Sequence, residues 1–125
     1  MRLLLDSNAY IWTITRPSEL SATARQAIED PENERFVSVA SLWEMTIKRS
    51  VGKLDLPGNY MDGVDHIAAT LLPITVAHLR QVPSLPLHHR DPFDRMMIAQ
   101  AIEESLTIVT RDRAFGAYGV PLLAA

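Results

Sequence analysis

The sequence predicts a parallel α/β sandwich, and two features of the chain favour this fold class. Short apolar segments with the character of strands alternate with helical segments from residues 3–5 to residues 120–123, as in sheets whose strands are connected by helices. The first apolar segment is uninterrupted, which is typical of a strand buried on both faces. We expect one domain over residues 1–125, because the chain contains no internal repeat and no linker-like segment.

Polar residues, proline and glycine mark the ends of elements in the first half of the chain. Asp6 ends the first strand, Pro17 follows the first helix, and Ser21 is suited to cap the second helix. Gly52 stands where the C-terminal cap of a third helix is expected. We expect strands at residues 3–5 and 36–39, and helices at residues 8–14, 21–29 and 40–50.

The second half of the chain contains a well-defined helix start. Asp91 suits the cap, Pro92 the first helical position and Asp94 the third position. Pro121 is acceptable in the last strand if that strand lies at an edge of the sheet. We expect helices at residues 60–70, 76–82 and 92–105, and strands at residues 71–75, 106–110 and 120–123.

Four acidic residues lie where the predicted elements would bring them to one edge of the sheet. Asp6 ends the first strand, and Asp112 lies two residues beyond the strand at residues 106–110. Glu44 and Asp94 lie in the first turns of helices. Ligands of open parallel sheets bind at the carboxyl ends of the strands. Each acid alone is better explained as a turn residue, a helix cap or a solvated helix residue, so the prediction of a site depends on all four together.

Carboxylates gathered at one edge would repel one another unless a cation were bound between them. Mg²⁺ and Mn²⁺ prefer carboxylate and water ligands, and one or two such ions can activate water for phosphodiester hydrolysis. The chain has no cysteine, which excludes zinc–thiolate sites and thiol nucleophiles. The formal net charge of −3 does not exclude a nucleic-acid substrate, because it becomes +1 when the four acids are set aside as metal ligands.

Four segments of the chain resemble the sequence motifs of PIN domains, in the same order and at similar spacing. They are Leu3-Leu4-Leu5-Asp6-Ser7-Asn8, Ser41-Leu42-Trp43-Glu44 with Lys48 and Gly52-Lys53-Leu54, His89-Arg90-Asp91-Pro92-Phe93-Asp94-Arg95 with Ile98-Ala99-Gln100-Ala101, and Thr110-Arg111-Asp112-Arg113-Ala114-Phe115. The resemblance covers nearly the whole chain. Within the family, the arrangement is similar to that of the VapC toxins of bacterial toxin–antitoxin pairs.

The resemblance implies a PIN-like three-layer α/β/α sandwich with a central, mainly parallel sheet of four to five strands. It implies an endoribonuclease that uses one or two Mg²⁺ or Mn²⁺ ions and acts on RNA as the toxin of its pair. A VapB-type antitoxin as inhibitor and a homodimeric state are also implied. By motif match, the catalytic and metal-site positions are Asp6, Glu44, Asp94 and Asp112. Ser7 stands where the family often has threonine, and it keeps the hydroxyl group.

Several neighbours of the four acids are further candidates for the site. Ser7, Asp91 and Thr110 are candidate auxiliary residues, although Asp91 is better explained as a helix cap. The arginines that flank the acids are candidates for binding RNA phosphates, and their alternative explanation is surface ion pairing. They are Arg90, Arg95, Arg111 and Arg113.

Histidine and aromatic residues near the motifs allow a functional and a structural interpretation. His88 and His89 precede a helix, and a structural role is favoured over that of a general base, because metal-activated water needs no histidine base. Trp12, Trp43 and Phe115 are able to stack on RNA bases. Packing in the core or in a dimer is favoured for the two tryptophans, which lie in predicted helices.

Other kinds of phosphoryl-transfer protein do not fit the sequence. An aspartyl intermediate normally requires a second aspartate two residues after Asp6, where Asn8 stands, and no P-loop is present. An RNA-processing housekeeping nuclease and a non-catalytic PIN-like RNA-binding module remain open as alternatives. The apolar run after Met1 is too short for a signal peptide and no segment is long enough to span a membrane, so we expect a cytoplasmic protein without a membrane partner.

Overall fold

A computed structural model describes all of residues 1–125 and has a five-stranded sheet at its centre. The strand order is β3-β2-β1-β4-β5, and all four pairs of neighbours are parallel. This confirms the predicted parallel sheet at the upper end of the expected number of strands. The strands are β1 (Arg2–Leu5), β2 (Glu34–Ser38), β3 (Thr70–Leu72), β4 (Thr107–Thr110) and β5 (Leu122–Ala124).

Six α-helices connect and cover the strands. They are α1 (Ser7–Thr15), α2 (Ala22–Glu29), α3 (Val39–Ser50), α4 (Gly63–His66), α5 (Val76–Gln81) and α6 (Pro92–Glu104). Three short 3₁₀ helices lie at Pro17–Glu19, Val82–Ser84 and Arg113–Tyr118. The expected caps are present, because the side chains of Ser21 and Asp91 accept backbone N–H groups at the starts of α2 and α6. No helix has the length and apolar character needed to cross a membrane.

Two apolar clusters cover the two faces of the sheet, which produces the predicted three layers. Successive strand residues point to opposite faces, so Leu3 and Leu5 of β1 join one cluster and Leu4 joins the other. The first cluster includes residues of α1 and α2, and the second includes residues of α6. Each fully buried leucine side chain stabilises the fold by about 1.5–3 kcal/mol, so β1 is a major contributor to both cores.

The segment from residue 60 to residue 75 differs from the sequence-based prediction of a long helix followed by a strand. Only Gly63–His66 is helical, and β3 already begins at Thr70. Tertiary contacts fix this segment, since the Tyr10 hydroxyl donates a hydrogen bond to the Tyr60 carbonyl oxygen. A Cβ atom on Gly63 would lie 2.6 Å from the Tyr10 hydroxyl oxygen. The close approach of α1 therefore overrides the local preference for a longer helix.

Candidate metal centre

The acidic site is built at the carboxyl ends of three neighbouring strands. In the sheet, Leu5 of β1 is paired with Val37 of β2 and with Val109 of β4. Asp6 follows β1 directly, and its N–H still donates to the Val109 carbonyl oxygen at 3.1 Å. Asp112 lies two residues beyond β4. Parallel pairing in this register brings both aspartates to the same edge of the sheet.

Two helices bring the other two acids to this edge. Glu44 lies on the inner face of α3, and its residue surface is 6% exposed. Asp94 lies in the first turn of α6, which packs against α3. All four acids line a single cleft of about 170 Å³. The other residues that line this cleft are Ser7, Asn8, Lys48, Asp91 and Phe115.

Asp6 and Glu44 form the inner part of the site and are oriented by hydrogen bonds from nearby residues. Asp6 caps α1, where its Oδ1 accepts the Ala9 N–H at 2.8 Å. The Ser7 hydroxyl donates to Glu44 Oε1 at 2.6 Å. Lys48, one turn further along α3, places its Nζ 3.1 Å from Glu44 Oε2. The first motif and the second motif of the sequence are thus joined directly through Ser7 and Glu44.

Asp94 and Asp112 form the outer part of the site and share one partner, His89. The His89 Nε2 atom lies 3.2 Å from Asp94 Oδ2 and 2.9 Å from Asp112 Oδ2. One ligand atom from each of these three residues lies within 4.8 Å of the others, close enough to hold one metal ion. From the sequence, a structural role for His89 was favoured over that of a general base, and its contact with the two acids was not expected. Its position two residues before the cap of α6 was the signal that could have placed it beside Asp94.

Burial and the charges of neighbouring acids disfavour the ionised forms of Asp6 and Asp94 in the absence of a cation. Burial raises the pKa of Asp6, although the Thr110 hydroxyl and the Ala9 N–H act in the opposite direction. Burial, followed by the charge of Asp91, raises the pKa of Asp94 to about 7. The hydrogen bond from His89 lowers the pKa of Asp112, and the same bond raises the pKa of His89.

The chemistry of the donor set fits a hard divalent cation. Among the residues that line the cleft, four are the predicted acids and Asp91 is a fifth, whereas Lys48 is the only lysine or arginine. Burial, and after it the charges of neighbouring acids, raises the pKa of Asp94, as expected for a carboxyl group in such a cleft. Carboxylate oxygens are the ligands that Mg²⁺ and Mn²⁺ prefer, so a cation would satisfy the excess charge.

The candidate auxiliary residues contact the site in different ways. The Asp91 Oδ1 atom accepts the N–H groups of Phe93 and Asp94 at 2.8 and 3.0 Å, which is the expected helix cap. The Thr110 Oγ1 atom accepts the Asp112 N–H at 3.0 Å. Thr110 therefore shapes the turn that carries Asp112, while Asp91 fixes the start of the helix that carries Asp94.

The four candidate arginines are not equivalent in the structure. The guanidinium group of Arg95 donates to four carbonyl oxygens of the segment before α6, which gives it a structural role, and RNA binding by Arg95 stays a prediction. Arg111 donates to the Ala125 carbonyl oxygen and lies 4.0 Å above the Trp12 ring. Arg90 and Arg113 are exposed. The sequence alone could not separate these four roles.

A large apolar groove lies beside the start of α6. It has a volume of about 720 Å³ and is bordered by Trp43, whose surface is 58% exposed and whose ring meets that of Phe93 edge-on at 5.1 Å. Trp12, in contrast, packs against the first apolar cluster. Phe115 is buried next to the His89 ring. Of the three aromatic candidates, Trp43 alone presents most of its surface to solvent.

Comparison with known proteins places the chain in one family. The family model of the PIN domain matches residues 3–121, so the chain belongs to the PIN domain family, as its four motifs predicted. Among characterised relatives it is similar to ribonuclease VapC22 of Mycobacterium tuberculosis. The two are 30% identical over 122 residues, which cover 95% of this chain and 93% of the relative.

Solved structures share the fold at lower sequence identity. A chain in the structure of VapBC2 from Rickettsia felis, bound to a DNA fragment from their promoter, has a TM-score of 0.73 at 16% identity, covering 98% of both chains. A chain of DNA-bound VapBC from Salmonella typhimurium has a TM-score of 0.72 at 18% identity, with 98% of this chain and 97% of that chain covered. These matches establish the three-layer PIN fold.

Proposed function

We propose that this protein is a metal-dependent endoribonuclease that acts as the VapC-type toxin of a toxin–antitoxin pair. The observation that carries the proposal is the convergence of Asp6, Glu44, Asp94 and Asp112 in one cleft whose negative charge the chain itself does not balance. The similarity to ribonuclease VapC22 supports RNA as the substrate. We further propose that residues 1–125 act as one catalytic domain, and that the protein acts in the cytoplasm.

The four acids would hold one or two Mg²⁺ or Mn²⁺ ions. When bound, such ions supply Lewis acidity and activate water for the hydrolysis of a phosphodiester bond. Ser7 holds Glu44 in place through its hydroxyl group, and Thr110 holds the turn of Asp112. These contacts fix the directions of the carboxylates before a ligand arrives, which reduces the reorganisation that binding requires.

Cationic residues around the cleft are suited to the RNA backbone. Lys48 and Lys53 line a second pocket that shares Ser7, Asn8 and Glu44 with the acidic cleft. Arg90 and Arg113 are exposed, and they adjoin Asp91 and Asp112 of the cleft in the sequence. Lysine and arginine side chains position nucleic acids through phosphate contacts that carry no sequence information. We therefore assign these residues to substrate positioning, with Arg111 as a further candidate.

Control by an antitoxin completes the proposed function. A free ribonuclease of this kind would degrade the RNA of its own cell, so its activity has to be blocked by a tight partner. The structural relatives include VapBC complexes bound to DNA, which supports a VapB-type partner for this chain. A cationic side chain of that partner would form charge-assisted hydrogen bonds with the uncompensated carboxylates.

A homodimer is proposed from the exposed apolar surface around Trp43. Leu79 and Leu87 border the same groove, and their surfaces are 53% and 69% exposed. Neighbouring apolar side chains that are exposed in this way are typical of interaction sites. We expect light scattering after size exclusion to show a dimer at micromolar concentration. Leu79→Glu should shift the protein towards monomer, while Val51→Glu, at an exposed position outside the groove, should not. A wild-type protein that is monomeric at that concentration would contradict the dimer.

Metal-dependent cleavage by the purified protein tests the proposed activity. We expect RNA to be cleaved in the presence of Mg²⁺ or Mn²⁺ and to remain intact in EDTA, because the carboxylates alone offer no electrophile. Restoring the metal after chelation should restore the activity. Cleavage that continues at the full rate in EDTA would exclude the proposed chemistry, and binding of RNA without cleavage under all conditions would favour a non-catalytic module.

A further inference from the structure

His89 contacts both outer carboxylates, yet the proposed chemistry does not require a histidine. Its Nε2 atom is within hydrogen-bond distance of Asp112 Oδ2 at 2.9 Å and of Asp94 Oδ2 at 3.2 Å. The side chain of His89 is 17% exposed, so the ring lies between the two acids rather than projecting into solvent. No other side chain bridges these two carboxylates.

The other ring nitrogen of His89 faces a backbone donor. The Asp91 N–H points to His89 Nδ1 over 3.4 Å, so Nδ1 is placed to accept and the proton of the neutral ring belongs on Nε2. A protonated Nε2 is a donor to carboxylate oxygens and has no lone pair for a metal ion. The geometry therefore favours a residue that holds the ligands over one that is itself a ligand.

The surrounding structure fixes the position of the His89 ring. The backbone N–H of His89 donates to the Tyr118 hydroxyl at 2.7 Å, and its ring packs at 5.6 Å from the ring of Phe115. Arg95, the neighbour of Asp94 on α6, donates to the His89 carbonyl oxygen and to three further carbonyl oxygens of the loop. The loop that carries His89 is thereby tied to the helix that carries Asp94.

We propose that His89 is a positioning residue that holds Asp94 and Asp112 in a metal-binding arrangement through its Nε2–H group. The inference rests on the proposed metal-dependent function. Apart from the 3.2 Å contact with His89 Nε2, the Asp94 carboxylate has no polar side-chain partner in the chain, and the side chain of Asp112, which accepts the His89 hydrogen bond, is 45% exposed. Without the donor, Asp94 would lose its one polar contact, and Asp112 would keep only the hydrogen bond that its Oδ1 accepts from the Ala114 N–H. Residues that orient metal ligands in this way typically contribute about 10–100-fold to metal affinity or activity.

Mn²⁺ binding provides a measurement that does not depend on activity. We would titrate metal-stripped protein with Mn²⁺ and follow the free ion by electron paramagnetic resonance. His89→Leu should weaken binding by roughly 10–100-fold, because leucine fills space but donates no hydrogen bond. His89→Gln should retain most of the affinity, since its amide nitrogen can donate from a similar position. His88→Leu, at the neighbouring exposed residue, should bind Mn²⁺ like the wild type.

Three outcomes would overturn the proposal. His89→Leu could bind Mn²⁺ as tightly as the wild type, or His89→Gln could bind as weakly as His89→Leu. Pulsed electron paramagnetic resonance of the Mn²⁺-loaded wild type could also reveal a directly bound imidazole nitrogen. This measurement remains informative if a variant fails to fold. Normal binding by all variants contradicts this inference alone. A wild-type protein that binds no Mn²⁺ and cleaves RNA in EDTA contradicts the proposed function as well.

Discussion

The inner and outer parts of the acidic site are held in place by different means. Asp6 and Glu44 are buried, and both accept hydrogen bonds from the start of α1: Asp6 from the Ala9 N–H and Glu44 from the Ser7 hydroxyl. Asp94 and Asp112 are more exposed and share the imidazole of His89. The inner acids are therefore fixed by the structure that β1 and α1 form in any case. The outer acids depend on a loop whose position is set by long-range contacts.

This difference suggests that the inner part of the site contributes to the stability of the fold as well as to function, whereas Asp94 in the outer part contributes to function. In the inner part, the Asp6 carboxylate is both a candidate metal ligand and the cap of α1. In the outer part, the cap of α6 is Asp91, so Asp94 is not needed to begin its helix. Substitutions in the inner part should therefore change folding and activity together, whereas substitutions at Asp94 should change activity alone.

The largest expected effect is on the growth of a bacterial host. Strong expression of the wild-type protein should arrest growth, and co-expression of the protein encoded directly upstream should relieve the arrest. Asp6→Ala should be harmless, because it removes a proposed metal ligand, while Asp55→Asn, at an exposed site away from the cleft, should remain toxic. Normal growth with abundant, active wild-type protein would leave an RNA-processing housekeeping nuclease as the better explanation.

Features that depend on neighbouring residues could be predicted from the sequence, whereas features that depend on long-range contacts could not. The buried strand β1 and the cap at Asp91 are encoded by adjacent residues, so both were predictable. The four acids were grouped correctly because parallel strands end at one edge. The role of Arg95 depends on carbonyl oxygens of a loop that lies against α6, and no local pattern encodes that contact.

The second expected effect separates the outer part of the site from the fold. Asp94→Asn keeps the size of the side chain but removes a carboxylate, and the Asp91 cap of α6 remains. We expect RNA cleavage to fall by about a hundredfold or more, on the scale of losing one strong electrostatic contribution. The melting temperature of the metal-free protein should not fall at pH 7, because burial raises the pKa of Asp94 to about 7 and its ionised form does not stabilise the fold. Asp55→Asn serves as the matched control in the same assay. Cleavage by Asp94→Asn at the wild-type rate would show that Asp94 has only a structural role.

The smallest expected effect is on the stability of the inner part, and it requires two variants of one residue. Asn caps helices about as well as Asp, whereas alanine offers no acceptor for the Ala9 N–H. Asp6→Ala should therefore lower the free energy of unfolding by about 1 kcal/mol relative to Asp6→Asn.

Urea unfolding in EDTA measures this difference without a contribution from bound metal, and both variants should lose RNA cleavage equally. Burial raises the pKa of the Asp6 carboxyl group, so the ionised side chain is disfavoured in the metal-free protein. Asp6→Asn removes that charge and should be at least as stable as the wild type at pH 7. Equal stability of Asp6→Ala and Asp6→Asn would mean that the cap contributes nothing. The distinction between an inner part that supports the fold and an outer part that does not would then be lost.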